Sequence, residues 1–182
     1  MNGPTPAHAL APRPREDARR PGDGASQARN ALYQELVLEH KRAPRRFGHL
    51  PAPTHQARGH NPQCGDDLQV ELDVHARHVR DLRFSGQGCA ICIASASMMG
   101  EAVVGLEVEA ARALQQRFRA VLTGELEPDG AGLGKLDSLA GVRAYPARIK
   151  CALLGWHALM HALAGEQADA AADDAMSGSK TP

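Results

Sequence analysis

Between Asp67 and His75 the side-chain character changes at every step. Leu68, Val70, Leu72 and Val74 are interleaved with Asp67, Gln69, Glu71 and Asp73. This period of two is that of a pleated strand with one apolar face to bury and one wet face. The rest of the chain must supply strand partners and a cover. Val79 to Ser85 reads as the hairpin partner, with Leu82 and Phe84 turned inward. A short extended piece, about Gln56 to His60, precedes both strands.

The cover is helical. Ser26 can cap a helix running to about Lys41, with Leu32, Tyr33, Leu36 and Val37 on its apolar side and Pro44 ending it. A basic, proline-punctuated loop follows from Arg45 to Pro53. After the hairpin, helices are predicted from the glycine-cysteine stretch to about Val104 and from Glu107 to about Leu122. Ser138 to Val142 reads as a short helical turn. Pro146 suits the first turn of a last helix reaching about Ala164. Strands first and helices after predict an α+β class: a small antiparallel β-sheet of about three strands covered by helices.

The 182 residues divide into a disordered tail over 1–25, a domain over 26–165 and a second disordered tail over 166–182, the tails judged on their Pro, Gly, Ala and polar content. Aromatic residues make up only 3%, so Leu, Val, Ile, Met and Ala must fill the core. A formal net charge of zero argues against an electrostatic nucleic-acid binder. No apolar run approaches the roughly 18 residues of a membrane span. The arginine-bearing start has no apolar signal core, so the expected location is cytoplasmic. In a reducing compartment, the four cysteines point to metal binding or catalysis rather than disulfides.

Those cysteines are Cys64, Cys89, Cys92 and Cys151. Gly86-Gln87-Gly88 ends the second strand and Cys89 follows at once, where unpaired N–H groups and the helix dipole favour a thiolate. Cys64 lies in the turn Asn61-Pro62-Gln63-Cys64-Gly65-Asp66. Cys151 falls in or before the first turn of the last helix. Asp66, two residues from Cys64, can point the same way. Two readings fit these residues alone: buried small hydrophobes, or a three-sulfur, one-oxygen tetrahedron of Cys64, Asp66, Cys89 and Cys151, a set that zinc accepts.

The surrounding residues carry more. Asn61-Pro-Gln-Cys-Gly-Asp66, Gly86-Gln-Gly-Cys89 with Ala94-Ser-Ala-Ser-Met-Met99, and Pro146-Ala-Arg-Ile-Lys-Cys151-Ala-Leu-Leu-Gly-Trp156 occur in order. Together they resemble the iron–sulfur cluster assembly family of IscU and the NifU N-terminal domain, from about Leu32 to Leu163. Within it, Lys150 stands where the IscU branch has a histidine, Tyr145-Pro-Ala-Arg-Ile149 replaces the chaperone motif, and a segment is added around Gly124 to Leu139. These features resemble the SufU branch. The resemblance implies an IscU/NifU-N-like fold and zinc held by Cys64, Asp66, Cys89 and Cys151. It also implies sulfur accepted from a SufS-type cysteine desulfurase and passed toward a downstream Suf cluster-assembly scaffold.

On that resemblance, Cys64 is the expected sulfur acceptor, because its turn is the loosest setting, and Arg148 the expected gate. The alternatives are an IscU-like scaffold holding a 2Fe-2S cluster on Cys64, Cys89 and Cys151, or a structural zinc domain. Cys92 departs from the branch. It reads as a core cysteine, an auxiliary thiol, or the second half of a Cys89-Ala-Ile-Cys92 redox pair. Of the nine histidines, His60, just before the cysteine turn, is the one candidate for a place near the metal, weighed against a surface position, and His157 with His161 share a helix face.

Overall fold

The computed structural model describes residues 23–128, 131–165 and 169–171. The expected tails fall outside these residues, apart from 23–25 and 169–171. Residues 23–25 open the first helix rather than a tail, and 169–171 form a short strand. In chain order the elements are α1 (Asp23–Arg42), β1 (His55–Asn61), β2 (Asp66–His75), β3 (His78–Gln87), α2 (Ala90–Val103), α3 (Val108–Thr123), a 3-10 helix (Gly134–Ala144), α4 (Pro146–Ala164) and β4 (Asp169–Ala171). The class is α+β, as expected, and the sheet order is β3-β2-β1-β4.

Three strands form the antiparallel meander. β1 pairs β2 from His55 opposite Leu72 to Asn61 opposite Asp66, and β2 pairs β3 from Asp67 opposite Gln87 to His75 opposite His78. β4 adds a parallel pairing beside Arg58 to His60, which local pattern did not announce. The β2–β3 turn is made by Ala76 and Arg77, both with positive φ (48° and 63°), a geometry that suits the right-handed twist of a two-residue hairpin.

The apolar side of the sheet carries Leu68, Val70, Leu72, Leu82 and Phe84, all fully buried. α4 lies across β1 and β2, and α2 packs on β3 and α4, with α1 outside α2. Close approach is possible because Gly59 of β1 faces Leu154 and Gly155 of α4 faces Ala96. α2 is buried over its whole length from Cys92 to Gly100, as expected of a helix that is apolar or small on every side. Trp156 anchors the far side: its ring lies 5.0 Å from Phe118, and its Nε1–H donates to Ser95 Oγ at 3.2 Å. Burying side chains of this size contributes about 1.5–3 kcal/mol each.

The wet face is not wet throughout. Glu71 was expected to face solvent and is only 5% exposed. The 45–53 loop folds over it, and its carboxylate accepts the Leu50 N–H at 2.7 Å and meets His49 Nδ1 at 2.8 Å. Phe47 is pinned edge-on to Phe84 at 5.4 Å, which fastens the loop to β3. At the loop's start, Ser97 Oγ accepts the Arg45 N–H and lies 2.7 Å from His40 Nδ1, so buried polar groups of α1 and α2 satisfy each other.

Candidate metal centre

The β1–β2 turn, the start of α2 and the first half of α4 meet at one end of the sheet. Each brings a group there for a local reason. Asn61 closes the turn: its side-chain oxygen accepts the Gln63 N–H at 3.2 Å and its carbonyl accepts the Cys64 N–H at 3.3 Å. This is the Asx geometry that favours Asn at a turn. Gly65 supplies the positive φ (69°) that returns the chain to β2. Cys64 is left half-buried at the tip, while Asp66, the first residue of β2, points inward and is fully buried.

Cys89 is the N-cap of α2, as its sequence position predicts. Gly86 makes the approach possible with a φ of 121° and its Cα against the Asp67 carbonyl. Cys151 lies beyond the first turn of α4, whose N-cap is Tyr145, so it sits deeper in the helix than expected and is fully buried.

Cys64, Asp66 and Cys151 each offer one ligand atom, and these lie within 4.8 Å of one another. The Cys151 thiol donates to Cys64 Sγ at 3.1 Å. Cys89 borders this group. Its backbone N–H donates to Asp66 Oδ1 at 2.7 Å, and its sulfur meets the Cys151 thiol. That thiol contact, with backbone N–H groups of Cys92 and Ile91, outweighs burial and lowers the Cys89 thiol to about 6. Cys151 goes the other way: contact with Cys89 and then burial push its thiol up.

Asp66 Oδ2 is buried with no hydrogen-bond partner. A buried carboxylate oxygen is costly to leave unpaired. The grouped thiols of Cys64 and Cys151 and the Asp66 carboxylate are donors of the kind a tetrahedral metal ion takes, so their chemistry fits one, and Cys89 stands beside them rather than within the group. Arg148 is exposed at the mouth, with Nη1 donating toward Cys64 Sγ at 3.7 Å. Its guanidinium is held further above its usual range by Cys151 and then by Cys89 and Cys64.

Other candidates fall elsewhere. His60 turns to the outer face, 3.9 Å from Asp67, and takes no place in the cluster. His157 is kept from protonating by burial and then by His161, at the α4 face toward Arg119. Cys92 is buried behind the site, where burial and then Asp66 raise its thiol.

Three contributors escaped the sequence reading. Asn61 Nδ2 donates to Cys151 Sγ at 3.6 Å. The inward positions of β1, Ala57, Gly59 and Asn61, would have flagged it. Lys41 Nζ donates to the Gly88 carbonyl at 3.0 Å across 47 positions, which no local pattern marks. Tyr33 lies near Tyr145, Cys89 and Arg148, with burial raising its phenol.

Residues 32–164 match the family described as the NifU-like N-terminal domain. The zinc-dependent sulfurtransferase SufU of Bacillus subtilis (strain 168) is 36% identical over 76% of this chain and 93% of its own. The iron–sulfur cluster assembly scaffold protein IscU of Streptococcus pyogenes serotype M1 is 37% identical over 74% of this chain and 84% of its own. Among solved structures, the N-terminal part of a nitrogen-fixing NifU-like protein from Brucella abortus superposes with a TM-score of 0.67 at 26% identity, over 75% of this chain and 94% of that one.

Proposed function

We propose that this chain, which belongs to the NifU-like N-terminal-domain family of iron–sulfur cluster assembly proteins, is a zinc-dependent sulfur acceptor. It would take sulfur from a SufS-type cysteine desulfurase and pass it toward a Suf assembly scaffold. The observation that carries this reading is the cluster itself: two thiols and a carboxylate oxygen of Asp66 within 4.8 Å, with Cys89 alongside. Zinc, when bound by Cys64, Asp66, Cys89 and Cys151, would hold its sulfur donors as thiolates.

The acceptor role falls to Cys64, at the tip of a turn, whereas Cys89 and Cys151 are fixed on helices. A Cys64 thiolate attacks the outer sulfur of the desulfurase persulfide. The bond between the two persulfide sulfurs breaks, and its electron pair leaves on the desulfurase thiolate. The new bond joins Cys64 to the transferred sulfur, with no net oxidation. Arg148 beside Cys64 Sγ is a positioning residue, presenting a positive charge to the thiolate.

In the test, purified protein is assayed for metal and then added to a SufS-type desulfurase. Bound zinc, faster turnover and a persulfide mass on Cys64 are expected. A Cys64→Ser variant that stimulates as well as the parent overturns the assignment.

The IscU relative of comparable identity favours a second reading, a 2Fe-2S cluster assembled on Cys64, Cys89 and Cys151. Anaerobic reconstitution that yields a visible chromophore transferable to an apo-target selects it. Lys150 in place of a histidine weighs against it.

A further inference from the structure

Cys92 takes no part in the proposed transfer, yet it is closely tied to Cys89. Its backbone N–H donates to Cys89 Sγ at 3.5 Å, with Cys89 as N-cap and Cys92 in the first turn of α2. The Cys92 side chain leans back over the helix start. Its Sγ and Cβ lie 3.0 and 3.1 Å from where a Cβ on Gly88 would stand. Glycine at 88 thus leaves the space that the Cys92 sulfur fills, one residue from Cys89.

Side chains three apart on a helix have Cβ atoms about 5–6 Å apart, and a disulfide needs about 3.5–4.5 Å. The extended backbone of Cys89 (φ −62°, ψ 167°) places it outside the helical geometry, and its side chain folds over the helix end to accept the Cys92 N–H. Cys64 and Cys151, 3.1 Å apart, are the other neighbours. Cys151 bridges Cys64 and Cys89, so Cys89 lies between two cysteines, Cys151 across the site and Cys92 on its own helix.

We propose that Cys92 is the resolving thiol of Cys89: when the metal cluster is empty and a peroxide is present, Cys89 and Cys92 close as a disulfide. The Cys89 thiolate attacks a peroxide oxygen, the O–O bond breaks and hydroxide leaves, giving a sulfenic acid. The Cys92 thiol then attacks that sulfur. The S–O bond breaks, the S–S bond forms and the hydroxyl leaves as water with the Cys92 proton. Two electrons have passed from the thiol pair to the peroxide, and a dithiol reductant reverses the change. Without a thiol at position 92, the only thiol left beside Cys89 among the described residues would be Cys151, which the metal site needs. This role goes beyond sulfur acceptance, and it applies to the emptied site whether zinc or a cluster is what the site otherwise carries.

The full chain, stripped by a chelator, is treated with hydrogen peroxide, alkylated under denaturing conditions and cleaved after Lys and Arg. Cys89 and Cys92 fall on one peptide, 84–112, and Cys64 and Cys151 on two others. The expected peptide 84–112 is lighter by two hydrogens, resists alkylation, and regains both alkylation sites after dithiothreitol. Reduced parent protein then takes up zinc again, while a Cys92→Ser variant carries sulfinic or sulfonic acid on Cys89 and recovers less metal. An alkylated Cys92 in peroxide-treated parent protein, with Cys89 overoxidised or joined to Cys151, overturns the proposal. That peptide map is read on the parent, so it stands even if the variant folds poorly.

Discussion

The carboxylate of Asp66 is split between two surroundings: Oδ1 accepts the Cys89 backbone N–H at 2.7 Å, and Oδ2 is buried without a partner. The start of a strand thereby fixes the start of a helix, and the second carboxylate oxygen is left without a hydrogen-bond partner. Structure and metal binding can be separated at this residue.

Asp66→Asn keeps an acceptor for the Cys89 N–H and replaces the orphan oxygen by an N–H donor. The fold should survive by circular dichroism, while zinc affinity, read by competition with a chromophoric chelator, falls. Asn61→Leu removes the donor to Cys151 Sγ together with the acceptor of the Gln63 N–H and should weaken zinc by about 10–100-fold, in line with outer-shell partners of metal ligands. Asp66→Asn should exceed that loss. Equal affinities in parent and Asp66→Asn would remove the carboxylate from the site.

Arg148→Ala should slow sulfur uptake by Cys64 roughly twofold to fivefold, the scale of an exposed charge pair. Arg148→Lys should restore most of the rate, and added salt should narrow the gap between parent and alanine variant. An Arg148→Ala rate equal to the parent at low salt makes the side chain a bystander.

Gly86→Ala should destabilise the fold by at least about 3 kcal/mol. The added Cβ meets the Asp67 carbonyl, and a φ of 121° strains any other residue. Gly65, also at positive φ but with open space around it, should tolerate alanine better. Denaturant midpoints for the two variants give the comparison.

Acid should loosen the junction of α1 and α2. Burial, then Arg45, holds His40 below its usual 6.5. The folded state therefore prefers the neutral ring, and the unfolded chain takes up the proton first. Stability from His40 is complete above about 6.5 and is lost as pH falls toward the lower folded value. His157 has the same sign. Melting temperatures of chelator-treated parent and His40→Gln should converge between pH about 8 and 5, with the parent declining more steeply. Parallel declines would show that His40 does not carry the effect.

Much of this architecture was legible from local pattern. Alternation over Asp67–His75, the glycines before Cys89 and Pro146 fix elements whose limits agree within a residue or two with β2, α2 and α4. What stayed hidden is non-local. Glu71 reads as a surface residue because its partners, His49 and Leu50, lie 21 or more positions away. Lys41 enters the sequence reading only as the end of the first helix, although it holds the Gly88 carbonyl. β4 is three residues long, too short for any periodicity. At the site, the motifs named the cysteines, but only packing shows that Cys64 and Cys151 touch while His60 turns away.

Cys64 and Cys151 are 87 positions apart. A nascent chain emerging from the ribosome exposes Cys64, Asp66 and Cys89 well before α4 exists, and three scattered groups without a preformed geometry bind metal poorly. Metal uptake at the proposed site would therefore act as a signature of completion: only a molecule synthesised through α4, and folded, would retain the ion. Stoichiometric metal in a preparation would then count finished molecules.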